Sequence, residues 1–145
     1  MLVSQILASK PVTGVLTAAP DDTIADVARV LSEKRIGALI VSNSGTDVAG
    51  IISERDIVRE LGKSGDSCLK NTVSQLMTHA VIACSPGDSA VSVLERMTEG
   101  RFRHMPVVQE GKLTGVISIG DVVKARINEV ESENSALTDL ISGNV

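Results

Sequence analysis

The sequence is almost without aromatic residues. Phe102 is the only one, and tryptophan and tyrosine are absent. The hydrophobic content of 43% is nevertheless ordinary for a globular protein and too high for a disordered chain. The core must therefore consist of valine, isoleucine, leucine, alanine and methionine. Single-stranded nucleic acid binds by stacking its bases on aromatic side chains, and a protein with a single aromatic residue is poorly suited to that.

Positive charge is also scarce. The formal net charge is −4, whereas a protein that binds the phosphate backbone of nucleic acids needs a basic face. We therefore expect no nucleic-acid partner, although a local basic pocket is compatible with this balance. No apolar run approaches the ~18 residues of a membrane helix, and no signal-peptide pattern opens the chain. We expect no membrane partner and a cytoplasmic location.

Several chemical motifs are missing as well. Cys68 and Cys84 form neither a disulfide framework nor a CxxC pair, and with His79 and His104 they lack the spacing of zinc ligands. There is no GxxxxGKS or GxxxxGKT loop, no GxGxxG and no nucleophile elbow. We therefore expect no metal, no catalytic cofactor and no enzymatic activity.

What the chain does contain is an internal repeat. "VSQIL" at 3–7 returns as "VSQLM" at 73–77, and "VLTAAPDDTIADVARVLSEKRI" at 15–36 returns without a gap as "VIACSPGDSAVSVLERMTEGRF" at 81–102. "VAGIISERDIVREL" at 48–61 returns as "LTGVISIGDVVKAR" at 113–126, so the offsets are 70, 66 and 65 residues. Two homologous units of about sixty residues each follow, which is too few for a solenoid.

Each unit is predicted to run β-α-β-β-α. A short strand precedes a proline, and Thr23 or Ser89 then stands where an N-cap is expected. Apolar residues recur after each cap at the i, i+3, i+4, i+7 spacing of an amphipathic helix. Two strands follow, "ALIV" then "VAGIIS" and "MPVV" then "LTGVIS", with a glycine in the turn between them. A second helix begins at Ser53 or Ser118.

These units suggest a division into a first repeat at 1–63, a linker at 64–72, a second repeat at 73–128 and a C-terminal helical extension at 129–145. The linker is recognised by its small and polar residues. A three-stranded sheet covered on one face is marginal alone. The predicted fold class is therefore α+β, with two β-α-β-β-α repeats packed sheet to sheet in one pseudo-twofold globule.

Three segments carry a family resemblance: "GIISERD" at 50–56, "GVISIGD" at 115–121 and "FRHMPVV" at 102–108. In register in both halves, they make the chain similar to the tandem cystathionine-β-synthase (CBS) domain module over roughly residues 3–128, in the form of a stand-alone bacterial-type CBS-pair protein. The resemblance implies a sensor of adenosine-containing ligands such as AMP, ATP, NAD or S-adenosylmethionine. It also implies flat, disc-like dimers.

The segments "SERD" and "SIGD" have two interpretations. One is a capping box, in which Ser53 and Asp56, or Ser118 and Asp121, satisfy each other's backbone amides at a helix start. The other is a ligand site, since a helix N-terminus attracts phosphate and a carboxylate there can bind the two hydroxyls of a ribose. The resemblance implies the second role, and both roles can coexist.

The segment "RFRHMP" concentrates positive charge where a buried strand begins. Arg101 corresponds to Arg35 of the first repeat, whereas Arg103 and His104 correspond to the uncharged Gly37 and Ala38. One interpretation is that Arg103 and His104 are solvated residues at a strand entrance. The other is that they bind phosphate, which guanidinium groups contact bidentately. The resemblance favours phosphate binding.

The resemblance further implies two sites, each shared between the repeats. The first site would join Ser53, Arg55 and Asp56 to Ile82, Ala83, Cys84, Arg103, His104, Met105 and Pro106. The second site would join Ser118 and Asp121 to Leu16, Thr17, Ala18, Gly37, Ala38 and Ile40. Lys10 and Arg101 could serve either site. Only the first site would then carry groups that neutralise phosphate, and the second could hold another adenosine moiety or stay empty.

The C-terminal residues carry an apolar heptad pattern. Val123, Ile127, Val130, Asn134, Leu137 and Ile141 alternate by four and three, as in a parallel coiled coil with one register-fixing asparagine. An amphipathic helix folded onto its own module fits equally well. Either way a helix from about 119 to 142 is expected.

The function predicted from the sequence is a non-catalytic regulatory module that binds an adenine nucleotide and acts as a homodimer. Ligand binding would shift the population of relative arrangements of the repeats or protomers. The output would pass to an unidentified effector protein. Two alternatives remain: a ligand-free scaffold that keeps the same fold, and a nucleotide hydrolase that uses Asp56 or Asp121 with a metal.

Overall fold

The computed structural model describes residues 1–10 and 14–143. These residues contain two small β-sheets and six α-helices. The first sheet contains β1 (Thr17–Ala18), β2 (Ala38–Val41) and β3 (Gly50–Ser53) in that order. Strand β1 is parallel to β2, and β2 is antiparallel to β3. The second sheet is the antiparallel pair β4 (His104–Gln109) and β5 (Lys112–Ser118).

The second sheet lacks the first strand expected before Pro86. In its place is a single parallel bridge, with the Cys84 amide donating to the Pro106 carbonyl at 2.9 Å and the Val108 amide donating to the Cys84 carbonyl at 2.8 Å. The next rungs of a parallel ladder would need amide hydrogens from Pro106 on one side and Pro86 on the other. Proline has none, so the strand cannot lengthen in either direction.

The two helices of each predicted β-α-β-β-α unit are present, and a further short helix that was not predicted precedes each unit. The helices are α1 (Val3–Ser9), α2 (Ile24–Lys34), α3 (Glu54–Ser64), α4 (Val73–Leu76), α5 (Ala90–Gly100) and α6 (Ile119–Ser142). Both expected N-caps are present, because Thr23 Oγ1 accepts from the Asp26 amide at 3.2 Å and Ser89 Oγ accepts from the Ser92 amide at 3.1 Å. The predicted linker contains a 3₁₀ helix at Gly65–Lys70. The expected α+β class with a long C-terminal helix is confirmed.

The core of each repeat contains a short helix from the other repeat. Val3 and Ile6 of α1 are buried in the core built by α5, β4, β5 and α6. Val73 of α4 is buried in the core built by α2, α3 and the first sheet. The exchange is pseudo-symmetric even in its hydrogen bonds, since the Val3 amide donates to the Asp88 carbonyl at 2.9 Å and the Val73 amide to the Asp22 carbonyl at 2.8 Å. The exchanged helices therefore join the two cores.

Helix α6 extends well past the second core. Its buried residues are Val122 and Ala125, near its beginning. The apolar members of the predicted heptad pattern are all exposed: Val123, Ile127, Val130, Leu137 and Ile141. They do not fold back onto their own module, and the last two residues of the predicted extension lie outside the described range. Within that range, no helix combines the length and the apolarity that crossing a bilayer requires.

Candidate functional site

Two capped helix starts form the centre of the site. At α3 the Ser53 amide donates to Asp56 Oδ2 at 2.9 Å, and Ser53 Oγ accepts from the Asp56 amide at 3.3 Å. At α6 the Ser118 amide donates to Asp121 Oδ2 at 2.9 Å, and Ser118 Oγ accepts from the Asp121 amide at 3.1 Å. The capping interpretation of both motifs is therefore correct. The capping box uses Oδ2 of Asp56, and Oδ1 lies 3.8 Å from Arg59 Nη1.

A cavity of about 520 Å³ lies beside the start of α3. Its walls include seven of the residues predicted for the site: Ser53, Arg55, Asp56, Ile82, Arg101, Arg103 and His104. They come from both repeats, since α3 belongs to the first repeat and the strand entrance at 101–104 to the second. The cavity falls within the 300–1,000 Å³ range of small-molecule sites.

The charge around this cavity is positive in a protein that is acidic overall. Four arginines, at 55, 59, 101 and 103, line it together with two carboxylates, Glu54 and Asp56. Burial lowers the pKa of His104 below its ordinary value, an effect that the nearby carboxylates of Glu54 and Asp121 oppose. The imidazole is therefore mainly neutral at pH 7, and the four arginines supply the local excess of positive charge over the two carboxylates.

The arginine shared by both repeats has a backbone role. Arg35 and Arg101 follow α2 and α5 and adopt left-handed conformations, with φ of 54° and 56°. A left-handed residue commonly ends a helix, although glycine is the usual choice. Arg101 nevertheless lines the cavity, as does Arg103 at the entrance to β4.

His104 lies between the two capped helices. It pairs with Ser118 across β4 and β5, and a Cβ atom added at Gly37 would lie 3.1 Å from its Cε1 atom. Only a residue without a side chain leaves this much room for the ring. Gly37, predicted for the second site, therefore lies on the wall of the first cavity with His104.

Four residues predicted for the first site lie elsewhere. Cys84, Met105 and Pro106 are buried in the second repeat, where Cys84 Sγ lies 3.7 Å from the Pro106 carbonyl. The carbonyl of Ala83 accepts from Arg96 Nη1 at 3.1 Å. Burial raises the pKa of the Cys84 thiol to about 11, so the thiol is protonated at neutral pH. These residues are not among those that line the cavity.

The cavity also has walls that the sequence did not single out: Ile51, Glu54, Arg59, Thr78, Ala80, Val81, Gly100 and Phe102. Arg59 lies one helical turn after Arg55, a spacing that could have identified it. Phe102, the single aromatic residue, directly follows Arg101. Thr78 lies at the cavity because it bridges to Ile51 at the edge of the first sheet, a long-range contact that no local motif indicates.

The second predicted site is arranged differently. Lys10 Nζ donates to Asp121 Oδ2 at 3.0 Å and to the Val116 carbonyl at 3.0 Å. Burial alone would raise the pKa of Asp121, but the hydrogen bond from the Ser118 amide and the Lys10 ammonium outweigh burial and lower it. The carboxylate is therefore charged and already paired within the protein.

The other residues predicted for the second site lie on the first sheet or beside it. Thr17 pairs with Ile40, Ala38 begins β2, and Leu16 is exposed directly before β1. Ala18, Ala38 and Ile40 are buried. A smaller cavity of about 300 Å³ lies near the beginning of the chain, and its walls are Leu7, Ala8, Lys10, Gly14, Thr114, Gly115 and Val116. Of the residues predicted for the second site, only Lys10 is among them.

The duplicated unit, the exchanged helices and the paired helix starts define a tandem-repeat α+β module. The chain belongs to the CBS domain family, which matches it at residues 3–63 and again at 73–128. This confirms the resemblance seen in the sequence. CBS-domain proteins are generally regulatory.

Three relatives illustrate the match. The CBS domain-containing protein CBSX3, mitochondrial, of Arabidopsis thaliana is 35% identical over 127 residues, which are 85% of this chain and 62% of that protein. The crystal structure of the CBS-domain containing protein ATU1752 from Agrobacterium tumefaciens is 41% identical, with a TM-score of 0.83, and the match covers 87% of this chain and 99% of that one. The CBS domain pair of protein MJ0100, solved with 5′-methylthioadenosine and S-adenosyl-L-methionine, is 25% identical, with a TM-score of 0.77. The match covers 89% of this chain and 98% of that one.

The matched region is the CBS pair itself. The chain spans 62% of CBSX3 but only 24% of the Arabidopsis protein CBSCBSPB3. Over the residues that the structure describes, no three His, Cys, Asp or Glu side chains cluster as metal ligands would.

Proposed function

We propose that the protein is a non-catalytic sensor whose first site binds a phosphate-bearing adenosine ligand of the AMP, ATP or NAD(H) class. The observation that carries the proposal is the 520 Å³ cavity in which the start of α3 faces Arg101 and Arg103. Guanidinium groups contact phosphate bidentately, and the positive end of a helix dipole adds to their field. A small anionic ligand therefore suits this cavity.

Asp56 would bind the ribose. One of its oxygens is occupied by the capping box, whereas the other has Arg59 at 3.8 Å, beyond hydrogen-bonding distance. That oxygen can accept hydrogen bonds from the two ribose hydroxyls, as acidic residues do in dinucleotide folds. Capping and ribose binding then use different oxygens of one carboxylate.

The adenine would lie against the apolar part of the cavity wall. Ile82 is 48% exposed although it is a large aliphatic residue, and Val81 and Phe102 also line the cavity. A ligand ring that covered Ile82 would remove apolar surface from water, which stabilises the complex. The bound 5′-methylthioadenosine and S-adenosyl-L-methionine of the MJ0100 CBS pair support an adenosine-containing ligand.

The signal would arise from a shift in conformational populations. Because the first cavity is built from both repeats, a ligand that bridges α3 and the strand entrance at 101–104 stabilises one relative arrangement of the repeats. The exposed apolar face of α6 supports a homodimer through which this change passes to a separate effector protein. A reducing cytoplasm suits the two free, buried cysteines.

The test is isothermal titration calorimetry of the purified protein with AMP, ATP, NADH and S-adenosylmethionine. We expect saturable binding of at least one phosphate-bearing ligand. Failure to bind any of the four would favour the ligand-free scaffold. Incubation with ATP and magnesium, followed by product analysis, tests the hydrolase alternative, and we expect the ATP to remain intact.

A further inference from the structure

We propose that Lys10 occupies the second site, so that each chain binds one adenosine-containing ligand instead of two. This inference rests on the proposed function of the first site. Its basis is the contact of Lys10 with Asp121 Oδ2, which places an ammonium group against the carboxylate that would bind the ribose of a second ligand. The second site is therefore closed by the protein's own side chain.

The two sites differ at this position by one side chain. Asp56 and Asp121 are equivalent in the repeat, at an offset of 65 residues, and both hold the same capping box. In the register that aligns 3–7 with 73–77, the offset of 70 pairs Lys10 with Ala80. Ala80 is an exposed residue on the wall of the first cavity. Lys10 thus carries an ammonium group at the position where Ala80 carries only a methyl group.

The geometry makes Lys10 a strong competitor for the site. Its ammonium contacts two acceptors at 3.0 Å, the Asp121 carboxylate and the Val116 carbonyl, and its side chain is only 32% exposed. A group tethered to the same chain competes at an effective concentration in the millimolar range. At Asp121 a ribose meets a carboxylate that a hydrogen-bonded cation already neutralises, whereas the Arg59 guanidinium lies 3.8 Å from Asp56 Oδ1, beyond hydrogen-bonding distance.

The shape of the second region agrees with this assignment. The cavity there measures about 300 Å³, compared with about 520 Å³ at the first site. Its described walls reach Lys10 and Val116 but not Asp121. Lys10 thus borders the open space and contacts the carboxylate.

The test is the binding stoichiometry of 5′-methylthioadenosine, which offers adenine and a ribose diol without phosphate. Equilibrium dialysis should give one bound molecule per chain for the wild-type protein and two for Lys10→Ala. Lys10→Arg keeps the cation and should remain at one. The reverse substitution, Ala80→Lys, should add a cation opposite Asp56 and weaken binding at the first site by at least tenfold. It provides an independent test if Lys10→Ala fails to fold.

The outcomes separate this inference from the proposed function. One molecule bound by both the wild-type protein and Lys10→Ala, or two by the wild-type protein, would overturn the role of Lys10 while leaving the first site intact. No binding by the wild-type protein with one molecule bound by Lys10→Ala would support the role of Lys10 and contradict the first site. No binding by either protein would overturn the role of Lys10, and the first site would be overturned as well if AMP, ATP and NADH also fail to bind in the calorimetric titration.

Discussion

Replacement of Asp56 by alanine separates the two roles assigned to this carboxylate. The substitution removes the acceptor of the Ser53 amide, a hydrogen bond of 2.9 Å at the start of α3. Loss of a helix cap costs about 1 kcal/mol. For a protein of this size that corresponds to a fall in the melting temperature of about 2–4 °C. The domain should therefore remain folded at room temperature.

The expected loss of affinity is larger. Two ribose hydroxyls that donate to a charged carboxylate contribute about 1.5 kcal/mol each, so their loss amounts to about 3 kcal/mol, or roughly a hundredfold in Kd. Thermal unfolding and calorimetric titration with AMP measure the two effects on the same samples. The stability effect and the binding effect thus have separate readouts.

Asp121→Ala is the matched control. Asp121 holds the same capping box at α6, so the cap loss should again cost about 1 kcal/mol. The partly exposed pair with Lys10 adds about 0–1 kcal/mol to that cost. AMP affinity at the first site should stay unchanged. Equal losses of affinity in the two variants would refute the ribose role. The same conclusion would follow if Asp56→Ala largely unfolds the protein while the remaining folded fraction binds AMP normally.

Three further predictions concern charge, protonation and packing. Arg103→Ala should weaken AMP at least tenfold and adenosine little, as measured by calorimetry, and equal losses would contradict a phosphate contact. The pKa of His104 in the folded protein lies below the ordinary 6.5, so its contribution to the free energy of unfolding should be present above about pH 6.5 and lost as the pH falls below that value. Urea denaturation at several pH values should show this loss in the wild-type protein but not in His104→Gln. Gly50→Ala should lower the melting temperature, because its Cβ would lie 2.8 Å from the Thr78 carbonyl oxygen, whereas Gly62→Ala, in open space on α3, should raise it slightly.

The sequence predicted the elements better than it predicted the contacts between them. The caps at Thr23 and Ser89 and the start of α6 at Ile119 follow from local patterns, and the structure contains each of them. The missing strand before Pro86 was also open to local reasoning, because both prolines that stop it are visible in the sequence. The exchange of α1 and α4 between the cores was not, since an amphipathic helix does not specify which sheet it will cover.

The candidate site shows the same division. Arg103 and His104 were singled out because they differ from their counterparts in the first repeat, and both line the cavity. Met105 directly follows the cavity residue His104, but alternation along β4 turns its side chain into the core. The contact of Lys10 with Asp121 joins residues 111 positions apart, and no spacing rule connects them.

The most direct test of the account is mass spectrometry of the small molecules released when the purified protein is denatured. We expect an adenosine-containing compound with at least one phosphate in the wild-type sample, and its loss from a parallel Asp56→Ala sample. A wild-type sample that releases no such compound and binds none when AMP, ATP or NADH is added would contradict it, as would equal amounts released from both proteins.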